Sequence, residues 1–235
     1  MHPPLWTELA AGANRTLSEE QLDRLSKYLD LLLEANRRMN LTRIVDRDAA
    51  ELQHVADALT LLKFIPPGAR RIADVGSGGG VPGVPLAVAL PEVQFVLLES
   101  TRKKAVFLEE AARELALANV RVASMRAEDA GRDAAFRETF EVVTARAVGA
   151  MNWIAEWCLP LLRKGGVLLA MKGPKAAEEL PLAEHAIKLL GGGSPDVRPA
   201  GLPGAGGHVI VAIRKIAKTP PAYPRPATAT RGKPL

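Results

Sequence analysis

Arg71-Ile-Ala-Asp-Val-Gly-Ser-Gly-Gly-Gly-Val-Pro-Gly83 is the stretch whose reading decides the fold. Ile72 to Val75 read as a short buried strand. The glycines that follow allow a turn tight enough for backbone amides to face a ligand without a Cβ in the way. A helix is predicted from about Val84, so its N-terminal amides point to the same place, a geometry suited to a nucleotide-like cofactor. Glu99 comes 23 residues after Gly76 and ends a second apolar strand, Phe95-Val-Leu-Leu98. An acid there can accept both hydroxyls of a ribose, as in Rossmann-type sheets.

Two cofactors compete for this loop. Gly78-x-Gly80-x-x-Gly83 satisfies the dinucleotide pattern, which alone is a weak signal. Three details favour S-adenosylmethionine. Asp74 stands two places before the first glycine, and a carboxylate attracts a sulfonium and an ammonium but repels a pyrophosphate. Pro82 and Pro85 flank the last glycine and disturb the even helix start that cradles a diphosphate. Ala127-Glu128-Asp129 follows a third predicted strand, where an acceptor can take an adenine amino group.

Working outward, 235 residues fit one domain, or one domain with a small appendage. The apolar content of 48% is ample for a core, and no apolar run is long enough to span a membrane. Met1-His-Pro-Pro-Leu-Trp has no basic region followed by an apolar one, so no secretory signal is visible and a cytoplasmic location is expected. One cysteine excludes an internal disulfide framework and a cysteine zinc cluster. His2, His54, His185 and His208 have no metal-ligand spacing, and no metal is expected. The net charge of +5 is uneven: Val197 to Leu235 holds seven basic residues and no acidic one, against 24 basic and 26 acidic before it. Such a tail suits a polyanion such as nucleic acid, or merely solvates the chain end.

Ser18-Glu-Glu-Gln21 is a capping box, and Leu22, Leu25, Leu29 and Leu32 then recur at helical spacing. Asp48-Ala-Ala-Glu51 repeats the start signal for a second amphipathic helix carrying Leu52, Val55, Leu59 and Leu62, which stops before Pro66-Pro-Gly68. Neither helix can bury its face alone, so residues 1–68 are expected to form an N-terminal helical cap. From Arg71 strands alternate with helices, and residues 69–216 are expected to form a Rossmann-like α/β core of class I methyltransferase type. Its sheet should be doubly wound, seven-stranded and mostly parallel. The Gly-rich Gly201-x-x-Gly204-x-Gly-Gly207 segment predicts an antiparallel hairpin at one edge. Residues 217–235, basic and rich in proline, are expected to be disordered.

The acceptor chemistry is narrowed by what is missing. After the fourth predicted strand comes Val143-Thr-Ala-Arg146-Ala147, not the Asn/Asp-Pro-Pro-aromatic tetrad of amino-group methyltransferases. Carbon methylation of a pyrimidine needs a cysteine nucleophile, and Cys158 lies in the apolar helix Trp153-Ile-Ala-Glu-Trp157-Cys158-Leu159, where a core role is favoured. An acceptor that is already nucleophilic remains, such as N7 of guanine, which has an exposed lone pair and no proton to remove. That chemistry needs positioning and a suited pocket rather than a general base, so no catalytic acid or base is assigned.

Several segments occur together and in order: Asn40-Leu-Thr42, His54-Val-Ala-Asp57-Ala-Leu59, the loop from Asp74 to Leu86, Glu99-Ser-Thr-Arg-Lys-Lys-Ala-Val-Phe-Leu108, Arg146-Ala147 and Met171-Lys-Gly173. Together they resemble the ribosomal small-subunit methyltransferase G family, also called glucose-inhibited division protein B, over about Leu17 to Ile213. The resemblance implies methyl transfer from S-adenosylmethionine to N7 of guanine 527 in 16S rRNA of the small ribosomal subunit. It also implies cofactor contacts at Gly76, Gly78, Val81, Glu99, Ser100, Thr101, Ala127 and Glu128, with Arg146 facing the reactive end. Ala58 stands where the family more often has Ser, and the basic C-terminal extension lies outside the pattern.

Arg146 and Lys172 end neighbouring strands at the carboxyl edge of the sheet, and both are positioning and substrate-contact candidates for phosphate or guanine. Asn40, His54 and Asp57 are the other substrate-binding candidates. For each, a structural role weighs equally: Asn40 and Thr42 as caps of the first helix, His54 and Asp57 bracing one another across a turn. The chain is expected to act as a monomer, with no membrane partner. A methyltransferase of another RNA or a small molecule, or a binding module without catalysis, would share the fold.

Overall fold

Strand β1 (Arg71–Val75) lies near the middle of a seven-stranded sheet of order β3-β2-β1-β4-β5-β7-β6. The other strands are β2 (Gln94–Leu98), β3 (Val120–Ala123), β4 (Phe140–Arg146), β5 (Leu162–Lys172), β6 (Asp196–Pro199) and β7 (Val209–Arg214). Pairing is parallel from β3 through β5, whereas β7 runs antiparallel to both β5 and β6. The order reverses between β1 and β4, which opens a crevice at their carboxyl ends, where doubly wound sheets bind ligands. The computed structural model describes residues 3–202, 207–230 and 233–235. His2, Gly204 and Gly206 of the Gly-rich turn, and Arg231 of the tail lie outside the described residues.

Both faces of the sheet are covered, and strand alternation divides the core into two layers. Ile72, Phe95, Leu97, Val142 and Leu169 face α1 (Pro4–Ala11), α2 (Glu19–Met39), α5 (Gly83–Ala89) and α6 (Arg102–Glu114). Ala73, Val75, Val96, Val143 and Leu168 face the layer of α8 (Met151–Cys158) and α9 (Ala176–Leu189). Cys158 is buried in that second layer. Helix α2 begins at the predicted capping box: Gln21 N donates to Ser18 Oγ at 3.2 Å and Ser18 N to Gln21 Oε1 at 2.9 Å. Leu25, Leu29 and Leu32 are fully buried, and such a side chain contributes roughly 1.5–3 kcal/mol. The N-terminal residues thus share one core with the sheet. Trp6, on a helix that no apolar periodicity announced, is buried there and donates its indole N–H to Glu51 O at 3.2 Å.

Two expectations need correction. The second amphipathic helix is not continuous: α3 (Arg47–Ala50) passes into a π-helical turn at Glu51–Ala56, then α4 (Asp57–Leu59), then a 3-10 turn at Thr60–Phe64. The π turn holds Gln53 and His54 beside the crevice, and such turns gather at functional sites. The tail, expected to be disordered, is docked in its described part. Arg137 donates to Thr219 O at 2.8 Å and Tyr223 O at 2.7 Å, and Arg132 donates to Pro224 O at 2.6 Å. Arg225 forms two side-chain hydrogen bonds to Glu156 of α8, at 2.8 and 2.6 Å. Composition failed here because the partners are arginines and a buried acid elsewhere in the chain, which supply the cohesion the tail lacks. No helix among the described residues is long and apolar enough to cross a membrane.

Candidate active site

The glycine loop is built as a backbone anchor. Gly76 N and Ser77 N both donate to Leu98 O, at 2.9 and 3.1 Å, tying the end of β1 to the end of β2. Gly76 has φ +70°, and a Cβ there would collide with Val148 just beyond β4. Glu99 is buried; its two oxygens accept from Gly78 N at 2.9 Å and Thr101 N at 2.6 Å. A carboxylate offers about four acceptor positions, so these two bonds aim the group while leaving capacity for ribose hydroxyls.

Asp74 does a different job from the one its position suggested. It is fully buried, with Oδ1 accepting from Thr144 Oγ1 at 2.8 Å and Oδ2 from Gly83 N at 3.3 Å. Burial pushes its pKa up to about 6, against the opposing pull of those hydrogen bonds. Asp74 therefore braces the loop from behind instead of meeting a cofactor cation. A Cβ on Gly83 would come within 2.8 Å of Asp74 Oδ2, so the last glycine of the motif makes room for that brace.

In front of the loop lies a cleft of about 1210 Å³. It is lined by Gly76, Ser77, Gly78, Val81 and Lys104 from the loop and α6, by Asn36, Asn40, Thr42 and His54 from the N-terminal region, and by Arg146. Typical small-molecule pockets hold roughly 300–1,000 Å³, so the cleft is large enough for a nucleoside-sized cofactor. The cap helix is fastened to the loop by Tyr28, whose hydroxyl donates to Gly79 O at 2.7 Å. Asn40 ends α2 in the left-handed conformation, φ 52°. Thr42 N then donates to Asn36 Oδ1 at 2.8 Å, and Thr42 Oγ1 lies 3.0 Å from His54 Nε2. His54 is thus paired with Thr42 and not with Asp57. Burial, reinforced by the Arg146 charge, lowers its pKa to about 4, so it is neutral at physiological pH.

Arg146 ends β4 and donates to Gln53 O at 2.7 Å, while its Nη1 lies 3.3 Å from Asp57 Oδ2. Lys172 ends β5 and donates to Gly149 O at 2.9 Å, with Glu179 Oε2 at 2.7 Å. Both expected RNA-facing cations are held by partners within the chain. They nevertheless line a second cavity, of about 210 Å³, with Asp57, Met171, His208, Val209 and Ile210. Arg146 and Ala147 border both cavities.

The adenine-side pair is less enclosed. Glu128 is buried and Ala127 half-buried at the start of α7 (Ala127–Ala130), while Ser100 and Thr101 are exposed at the end of β2. None of these four lines either cavity. Residues the sequence did not single out are Tyr28, Asn36 and Gln53, which position the cap, and His208, which opens β7 at the carboxyl edge of β5. Only His208 left a signal, a lone histidine between a Gly-rich turn and an apolar strand.

Comparison with known proteins places the chain. The profile described as rRNA small subunit methyltransferase G matches residues 21–198. A protein of Lactobacillus johnsonii named ribosomal RNA small subunit methyltransferase G is 39% identical over 100% of both chains. Its namesake from Alkaliphilus oremlandii is 42% identical, over 97% of this chain and 96% of its own. The chain belongs to the rRNA small subunit methyltransferase G family. The family match ends at residue 198, so the basic C-terminal extension lies outside it, although the Lactobacillus relative aligns over the full chain. Two solved structures share the fold. One is a Thermus thermophilus 16S rRNA N2 G1207 methyltransferase in complex with AdoMet and guanosine, with TM-score 0.51 and 19% identity over 70% of this chain and 40% of that one. The other is an S-adenosylmethionine-dependent O-methyltransferase of Thermotoga maritima, with TM-score 0.51 and 16% identity over 80% of this chain and 72% of that one.

Proposed function

We propose that this protein transfers a methyl group from S-adenosylmethionine to N7 of guanine 527 in 16S rRNA, acting as a monomer in the cytoplasm. Family membership carries the coarser part, a small-subunit rRNA methyltransferase that uses S-adenosylmethionine. Support for the acceptor atom comes from the protonation states around the cleft. The histidine lining it has a pKa near 4 and is a poor base at neutral pH, and the free thiol is buried in the core. An acceptor nitrogen that already carries a lone pair needs neither.

The residues present fit the donor. Gly76 and Gly78 border the cleft with backbone and no Cβ, and the Glu99 carboxylate is aimed by Gly78 N and Thr101 N with lone pairs to spare. When bound, S-adenosylmethionine supplies an activated methyl group on a cationic sulfonium. Glu99 would hold the ribose, Ala127 and Glu128 the adenine edge, and Gly76, Gly78 and Val81 the middle, flanked by Ser100 and Thr101. Arg146 would sit at the reactive end, joined by Asn40, His54, Asp57 and Lys172 on the RNA side. The monomer reading is supported by the scatter of exposed large apolar residues over separate elements: Val45, Val106, Leu182, Val197 and Ile216. The test is methyl transfer from labelled cofactor to small subunits lacking the modification, with chemical cleavage at N7-methylguanine. A methyl group at another nitrogen or nucleotide would refute the assignment.

A further inference from the structure

The cavity beyond Arg146 contains an unmatched buried acceptor. Asp57 is only 2% exposed, yet its Oδ1 has no hydrogen-bond donor among the described residues. Arg146 approaches the other oxygen, at 3.3 Å. His208 Nδ1 is 3.6 Å from Oδ1, too far for a hydrogen bond. Leaving a buried carboxylate oxygen unpaired is costly, and native structures that tolerate this usually have a reason for it. Asp57 lines the cavity of about 210 Å³, together with Met171, Val209 and Ile210 and the two cations Arg146 and Lys172. The cavity therefore combines apolar and cationic lining residues with one unsatisfied acceptor buried in its wall. It also meets the cofactor cleft at Arg146 and Ala147.

We infer that this cavity receives the target base and that Asp57 selects guanine by accepting hydrogen bonds from its N1–H and 2-amino group. The inference rests on the guanine-N7 reading above and deepens it. Guanine alone among the four RNA bases presents those two donors side by side; adenine would turn its N1 lone pair toward the carboxylate and be repelled. N1 and the 2-amino group lie on the opposite edge of the base from N7, so this grip leaves the reacting lone pair free. Arg146 serves as the positioning residue: its contact with Asp57 Oδ2 and its hydrogen bond to Gln53 O hold the carboxylate.

The test compares small subunits carrying guanosine or inosine at the target position. Inosine keeps N7 and N1–H but lacks the 2-amino group. The wild-type protein should methylate guanosine with a kcat/KM about 10–100-fold higher than inosine, the effect of one hydrogen bond to a charged acceptor. In Asp57→Asn that preference should shrink toward unity, with cofactor affinity by calorimetry unchanged. A role confined to folding would lower both rates together and leave their ratio intact. Equal rates on guanosine and inosine by the wild-type protein would overturn the assignment whatever the variant does. So would an undiminished preference in a folded Asp57→Asn. If guanosine itself is not methylated at N7, the underlying function fails, and that result is distinct from either of these.

Discussion

Among the described residues two arginines reach a buried carboxylate, and the two pairs are built to opposite standards. Glu156, fully buried in α8, is gripped by Arg225 on both oxygens, and the Arg225 backbone N–H adds a third bond at 2.9 Å. Asp57, almost as buried, receives one approach from Arg146 at 3.3 Å, and its other oxygen has no hydrogen-bond donor. The first pair closes a seam between the C-terminal segment and the core. The second borders two cavities at the carboxyl edge of the sheet. Complete satisfaction marks a joint of the fold; an unpaired acceptor at the same depth marks a place kept for a ligand.

The largest expected effect breaks the satisfied pair. Arg225→Ala leaves Glu156 buried with no counter-charge, a change that typically costs about 3–5 kcal/mol. Urea denaturation should show that loss, and truncation after Lys218 should match or exceed it, since it also removes the tail carbonyls that accept from Arg132 and Arg137. A stability change under about 1 kcal/mol would place the tail among solvated appendages and remove one side of the comparison.

That joint was invisible in the sequence, whereas the sheet and the glycine loop were legible. Alternation of strands and helices, the capping box at Ser18 and the loop from Asp74 to Gly83 are local patterns, set by periodicity and backbone sterics. The tail was misread because proline and charge content say nothing about distant partners. The one clue was Glu156, an acid in the otherwise apolar Trp153-Ile-Ala-Glu-Trp157-Cys158 run. At the site, residue types were legible but their duties were not. Asp74 and Glu99 both read as cofactor carboxylates. Only three-dimensional packing separates the fully buried brace from the acid with lone pairs left over.

A smaller effect comes from a buried cation of the same seam. Lys215 is 1% exposed and donates to Leu159 O at 2.8 Å, Leu190 O at 2.7 Å and the Thr219 hydroxyl. Burial lowers its pKa from 10.5 to about 8. Between those values the unfolded chain binds the proton and the folded one does not, so this group makes stability rise with pH across that window. The slope is at most about 1.4 kcal/mol per pH unit. Comparing wild type with Lys215→Met from pH 7 to 10 isolates the term, and parallel curves would show that the buried amine stays charged throughout.

On the ligand side, Glu99→Ala should weaken S-adenosylmethionine binding by about 1–3 kcal/mol, because it removes charged acceptors and frees Gly78 N and Thr101 N from their anchor. Calorimetry giving the wild-type affinity would remove Glu99 from the cofactor site and reassign it, like Asp74, to bracing the loop.

The smallest stability effect is expected where the carboxylate is least satisfied. Asp57→Asn keeps the size of the side chain and an oxygen that can face Arg146. It removes a buried negative charge whose Oδ1 has no donor. The lost attraction to Arg146 is limited by the 3.3 Å separation and by Gln53 O, which still accepts from the guanidinium. Relief of an unpaired buried acceptor works in the opposite direction. The two should nearly cancel, leaving a change within about 1 kcal/mol. Urea denaturation of this variant beside Arg225→Ala measures the contrast directly. If Asp57→Asn is destabilised as severely as Arg225→Ala, Asp57 is a joint of the fold in its own right, and its unpaired oxygen has lost its meaning as the mark of a binding site.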